Sequence, residues 1–153
     1  NTKEIISGFK HIIKDKSFWK DILSQRDKDN GRTPIHFGFQ SNAKDSIKCI
    51  TKFIKDKTFW KEILCKKDNE WNKTPIDCGY ENINKDALQV IYRFIPSKSF
   101  WEHVLLKCDR MVKYDKFIRE ISCNYTLNDD NEGGYGSQIS IKVEQGKSLL
   151  IPT

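Results

Sequence analysis

The residues best equipped for chemistry are three histidines, His11, His36 and His103, and five cysteines, Cys49, Cys65, Cys78, Cys108 and Cys123. A Cys/His couple would supply a nucleophile with its base, and a close-spaced group of either type would hold a metal. The spacings supply neither. The histidines form no His-x-x-x-His pair, and no two cysteines stand in the C-x-x-C arrangement of zinc or redox motifs. Gly133-Gly134-Tyr135-Gly136 follows no strand and lies in a polar stretch, which makes it a linker rather than a phosphate cradle. A Cys/His dyad formed by residues distant in sequence stays open, since such pairs meet only in space. The expectation is a chain that is not an enzyme, with no catalytic residue, no metal site and no cofactor.

An odd number of cysteines argues against a disulfide framework and for a reducing, cytoplasmic compartment. The net charge of +6 is carried mostly by lysine. Lysine lacks the planar fork that grips phosphates and base edges, so a diffusely positive, solvated surface is the favoured reading. The lysine-rich face Lys44, Lys48, Lys52 and Lys55 keeps nucleic-acid binding as the alternative. No apolar run approaches the roughly 20 residues needed to span a bilayer, and nothing reads as a signal peptide. The apolar content of 37% is low but periodic, which argues against disorder.

These residues sit in a repeating frame. Asp29-Asn30-Gly31-Arg32-Thr33-Pro34-Ile35-His36-Phe37-Gly38 returns as Glu70-Trp71-Asn72-Lys73-Thr74-Pro75-Ile76-Asp77-Cys78-Gly79, 41 positions on. In both copies threonine can cap a helix while proline occupies its first position without wasting an N–H. Lys16-Ser17-Phe18-Trp19 recurs at the same period as Lys57-Thr58-Phe59-Trp60 and Lys98-Ser99-Phe100-Trp101. Each of these copies runs on to an aspartate: Asp27, Asp68 or Asp109. Ile6, Ile47 and Leu88 align, as do Phe9, Ile50 and Ile91, and Ile13, Ile54 and Ile95. Such a ladder marks stacked units that bury their faces against one another. Cys49 aligns with Val90 and Cys65 with Leu106, so both read as small core residues.

The pattern predicts helices over about 3–14, 17–25, 34–41, 44–55, 58–66, 75–82, 84–95, 99–107 and 116–123. Ser17 is the expected cap of the second, with Phe18, Ile22 and Leu23 facing inward. Asp115 stands where Thr33 and Thr74 stood and is the expected cap of the last. The fold class is therefore all-α, a short helical-repeat solenoid. Residues 1–123 form one domain with units at about 1–27, 28–68 and 69–109 and a closing half-repeat at 110–123. Residues 124–153 are a polar, Gly-rich tail, read either as a small β-hairpin or as a disordered segment. The chain starts in mid-repeat, which suits a fragment of a longer protein or a helix 3–14 serving as a terminal cap.

Asp29-x-Gly31-x-Thr33-Pro34-Ile35-His36 resembles the ankyrin-repeat motif, in which a β-turn leads into two antiparallel helices. Thr33, Pro34, Ile35 and His36 match position by position. The second copy matches at Thr74, Pro75 and Ile76, with Asp77 in place of the histidine. The resemblance implies that His36 bonds to backbone near the turn, and that Gly38 and Gly79 stand where the family has a small alanine. The period of 41 exceeds the family's roughly 33, and the excess lies in the Lys-Ser/Thr-Phe-Trp helix. Phe39 and Tyr80 are large where the family has a second alanine. The compositional bias toward Lys, Asn and Ile looks like ankyrin proteins of AT-rich genomes, including intracellular bacteria that place them in host cells.

Ankyrin-type stacks bind other proteins because repetition builds a rigid surface whose exposed positions can vary. By register, the contact positions implied are Asn30, Arg32, Trp71 and Lys73 at the turn tips, and Phe37, Gln40, Cys78 and Glu81 on the inner helix. Trp71 is the sharpest of them, an aromatic at a turn tip outside the core ladder. The expected function is a protein-interaction module that binds a partner protein. The alternatives are the basic nucleic-acid binder, and a scaffold or regulatory segment of an enzyme whose catalytic domain lies elsewhere.

Overall fold

The computed structural model describes residues 2–5 and 14–122, and these residues are all-α, with no strand among them. Residues 2–5 are helical. Eight helices follow among the described residues: α1 (Lys16–Ser24), α2 (Pro34–Gln40), α3 (Lys44–Phe53), α4 (Lys57–Leu64), α5 (Pro75–Tyr80), α6 (Asp86–Phe94), α7 (Lys98–Lys107) and α8 (Tyr114–Ser122). None is long and apolar enough to cross a membrane. The expected ends lie within two residues of these bounds, the usual precision of a helix terminus. The tail 124–153 and its hairpin lie outside the described residues, as do Ile6, Phe9 and Ile13.

Helices 41 positions apart lie side by side: α2 against α5, and α3 against α6. The aligned apolar positions are buried wherever they are described, namely Ile47 and Leu88, Ile50 and Ile91, and Ile54 and Ile95. The two Thr-Pro turns also work alike. Thr33 Oγ1 accepts from His36 N (3.3 Å) and Thr74 Oγ1 from Asp77 N (3.2 Å), each starting a helix whose first residue is proline.

The Phe-Trp helices bury the bulk of the aromatic surface. Trp60 and Trp101 are fully enclosed, and each spends its indole N–H on the C-terminal carbonyl of the helix before it. Trp60 Nε1 donates to Ile54 O (2.8 Å) and Trp101 Nε1 to Ile95 O (2.6 Å). Trp60 meets Phe94 edge-on at 6.2 Å, and Trp101 stacks on Phe117 at 5.1 Å. A large apolar body with its one donor satisfied is how a tryptophan enters a core at little polar cost.

Three details depart from the sequence reading. Asp15, not Ser17, caps α1, its carboxylate accepting from Ser17 N (2.9 Å) and Phe18 N (3.4 Å), and Asp56 does the same for α4. A charged acceptor suits the positive end of a helix better than a hydroxyl. Phe18 and Ile22 are 40% and 39% exposed, whereas Phe59 and Ile63, Phe100 and Val104 are buried. Phe100 lies under the Lys61 ammonium of the preceding copy, 6.0 Å from its ring centre, so that copy covers the position. Phe18 has no preceding copy among the described residues. Finally, α8 begins at Tyr114, and Asp115 falls inside its first turn. Met111 adopts a positive φ of 54° three residues before the helix begins, as Gly31 and Asn72 do, so the turn is kept while the helix starts early, and Phe117 and Ile121 still reach the core.

Replacing Trp60 by Phe removes the indole donor but keeps a ring, and leaves the buried Ile54 carbonyl without its partner. The expected loss is about 1–3 kcal/mol in urea unfolding, while Trp71→Ala at the surface stays within about 0.5 kcal/mol of wild type.

Candidate functional site

Each turn is organised by an aspartate that the sequence reading marked only as the end of a segment. Asp27 Oδ1 accepts from Asn30 N (3.1 Å) and Arg32 N (3.2 Å), and Asp27 N donates to Arg32 O (2.9 Å). One period on, Asp68 Oδ1 accepts from Trp71 N (2.8 Å) and Lys73 N (3.2 Å), and Asp68 N donates to Lys73 O (2.8 Å). This closure requires a left-handed residue before position 32 or 73. Gly31 supplies it at φ 72° and Asn72 at φ 58°, the two residue types that tolerate the region best.

The turns are then tied to each other. Arg32 Nε donates to Asp68 Oδ2 at 2.9 Å, and both residues are buried. Arg26 Nη1 bridges Gly31 O (2.8 Å) and Lys67 O (2.7 Å), and Asn69 N donates to Asn30 O (2.8 Å). Burial works to raise the Asp68 carboxyl, but the Trp71 N–H, the Arg32 guanidinium and the Lys73 N–H outweigh it and hold it below the ordinary range.

His36 and its counterpart Asp77 make a second tie with opposite polarity. His36 Nδ1 accepts from Thr33 N (3.1 Å), so Nε2 carries the proton and donates to Lys73 O (3.0 Å) in the next turn. Asp77 can only accept. Its Oδ2 takes Thr74 N (3.0 Å) and Asp109 N (2.9 Å), and its Oδ1 takes Arg110 N (3.3 Å). The next turn presents a carbonyl to the histidine and amides to the carboxylate. Burial lowers the pKa of His36, and the bond to Lys73 O offsets this only in part.

The structure divides the eight nominated positions. Trp71 is 61% exposed on a tip whose backbone Asp68 holds in place. Asn30 and Lys73 are half-buried, and Gln40 and Glu81 are exposed. Gln40 Oε1 accepts from Arg32 Nη1 (2.7 Å), and Lys73 pairs with Glu81 at the same two register positions one copy on. Phe37, 43% exposed, lines a groove along α2 and α3 instead of the tips. Arg32 and Cys78 are buried in this structure. Arg32 is drawn inward by Asp68, and Cys78 is fully enclosed, with burial pushing its thiol pKa up. Burial likewise raises the Cys108 thiol to about 12. Among the described residues no three His, Cys, Asp or Glu side chains gather as a metal site.

Asp27, Asp68 and Arg26 are the residues the sequence reading missed. The available signal was the aspartate three residues before Asn30 and before Trp71, the spacing at which a carboxylate caps a turn. Comparison with protein-family models, with curated proteins and with solved structures returned no match.

Arg32→Ala leaves the Asp68 carboxylate buried without its counter-ion, and a loss of about 3–5 kcal/mol in chemical unfolding is expected. Because burial lowers the His36 pKa in the fold, the unfolded chain takes up a proton more readily below its ordinary 6.5. Stability is therefore lost as pH falls through the ordinary histidine range around 6.5. Thermal melts across that window should slope downward in wild type and flatten in His36→Gln; an unchanged slope would count against the assignment.

Proposed function

We propose that this chain is a non-catalytic protein-interaction module built of stacked, ankyrin-like units, which binds a partner protein through its turn tips and the adjoining inner-helix face. The observation that carries the reading is Trp71. It is a large aromatic left 61% exposed on a turn whose backbone is closed by Asp68 and tied to the preceding turn. Anchors of this kind, rigid and already desolvated on one side, dominate binding energies at protein interfaces. Asn30, Gln40, Lys73 and Glu81 supply a polar surround.

The ankyrin-like part of the proposal draws on the paired Thr-Pro caps, the side-by-side packing of helices 41 positions apart, and the histidine that bonds across to the next turn. Packing of this type leaves tip side chains free to change without disturbing the core, which suits recognition. Cys49, Cys65, Cys78 and Cys108 form no disulfide among the described residues, which suits a reducing compartment such as the cytoplasm. Several lysines are already engaged: Lys20 with Asp56, Lys57 over Phe94, Lys61 over Phe100 and Lys98 over Tyr114. That dispersal favours a protein partner over a phosphate backbone, which calls for clustered free cations.

A comparative pull-down from cell extract with wild type and Trp71→Ala tests the reading. The variant should fold normally and lose its specific partner by about thirtyfold or more, a loss of about 2 kcal/mol. Retention on mixed nucleic acid that falls steeply between low and moderate salt, unaffected by Trp71→Ala, would replace the proposal with a nucleic-acid-binding function.

A further inference from the structure

One seat recurs at the head of each Phe-Trp helix. Lys16 opens α1, and its ammonium lies 6.0 Å from the centre of the Phe53 ring, the last residue of α3. Trp19 meets the same ring edge-on at 6.3 Å. One period on, Lys57 lies 5.8 Å from the Phe94 ring that ends α6, and Trp60 meets that ring at 6.2 Å. In both cases the lysine and tryptophan of one copy hold a single ring from the next. An ammonium and the edge of an indole are both favourable neighbours for an aromatic quadrupole.

The third seat is filled differently. Lys98 opens α7, and its ammonium lies 5.6 Å from the ring centre of Tyr114, while the Trp101 indole stacks on Phe117 at 5.1 Å. Both rings come from α8, which packs on α6 and α7. By repeat register Phe117 stands where Ile35 and Ile76 stand, in α2 and α5, yet it goes to the tryptophan seat. The remaining ties run through side chains. Tyr114 and Tyr92 join their hydroxyls at 3.1 Å, Tyr80 Oη donates to Glu120 Oε1 (2.6 Å), and Gln89 Nε2 donates to Ile121 O.

The turn that leads into α8 keeps a left-handed residue but not the carboxylate closure of the other two. Asp109 stands at the register position of Asp27 and Asp68. Its amide donates to Asp77 Oδ2 (2.9 Å) instead of to its own turn, and its carboxylate closes no turn among the described residues. The left-handed position is filled by Met111 at φ 54°, where the first two turns use glycine and asparagine. Methionine has a Cβ and no short polar group to bond locally, so it is held there under strain.

We propose that α8 is a lid. It opens as one unit about the Met111 turn while α5, α6 and α7 stay folded, and it thereby uncovers the seat made by Lys98 and Trp101, whose shape suits an aromatic side chain. Met111 is the hinge, because its strain is released when the helix swings away. The two rings in the seat are the latch. The inference rests on contacts within the third copy and is independent of the tip surface around Trp71.

Native-state hydrogen exchange of the full chain, followed by NMR, tests the lid. The amides from Phe117 to Ser122 should exchange together, about tenfold or more faster than the slowest amides of α5, α6 and α7. Trp60→Phe weakens a contact that survives lid opening, so it should speed the slowest amides and leave α8 unchanged. Low urea makes the same comparison without a substitution, since opening the lid exposes less surface than global unfolding and its exchange should rise less steeply. Met111→Gly should slow α8 exchange about threefold by removing the left-handed strain. Met111 is 74% exposed, so that variant keeps its core. Exchange of α8 at the rate of α7, with the same response to urea, overturns the proposal, because the helix then opens only with the whole. So does exchange graded inward from Ser122 with Phe117 as protected as α7, which is end fraying, or an α8 rate unaltered by Met111→Gly.

Discussion

The bond on which the pairing of the first two turns centres is made by one buried carboxylate. Asp68 closes its own turn through two backbone amides and, with its other oxygen, receives the guanidinium of Arg32 from the turn before. It is nearly inaccessible to water, so each bond is made in a medium where losing it is expensive. One side chain thus serves both the shape of its own turn and the link to its neighbour, beside the ties from Arg26, Asn69 and His36. The Phe39–Gly79 approach and the placement of Trp71 lie between the two copies that this bond joins.

The second tie shows how such a frame tolerates sequence change. His36 reaches forward as a donor and Asp77 as an acceptor, and in each case the following turn offers the matching backbone group. The substitution from histidine to aspartate therefore does not break the link but reverses its polarity. The fold requires that a polar group bridge the turns and be fully paired; it does not prescribe which partner donates.

Two surfaces remain outside this internal economy, and they differ in kind. The tip around Trp71 presents one large exposed aromatic on a turn whose backbone Asp68 closes. The groove beside Gly38 is recessed and lined by side chains of α1, α2 and α3. Exposure at the tip is set by side chains that packing leaves free, whereas the groove is shaped by the packing of the helices around it.

Much of this was readable without coordinates, because it is written in local rules. Thr-Pro at a helix start and apolar spacing at helical period depend on neighbours within a turn, so the helices and the buried rungs Ile47, Leu88, Ile50 and Ile91 followed from the sequence. What the sequence left undecided was which face of each residue met another copy. Arg32 and Trp71 both sit at turn tips, and pattern alone nominates both. Only the approach of Asp68 from 36 positions away draws Arg32 inward and leaves Trp71 in water. Phe18 and Phe59 occupy one register position, yet one is covered and the other is not, since burial at this site belongs to the neighbour and not to the residue. Local chemistry chose the elements; long-range pairing, invisible to any short window of sequence, chose which of their side chains are left to act.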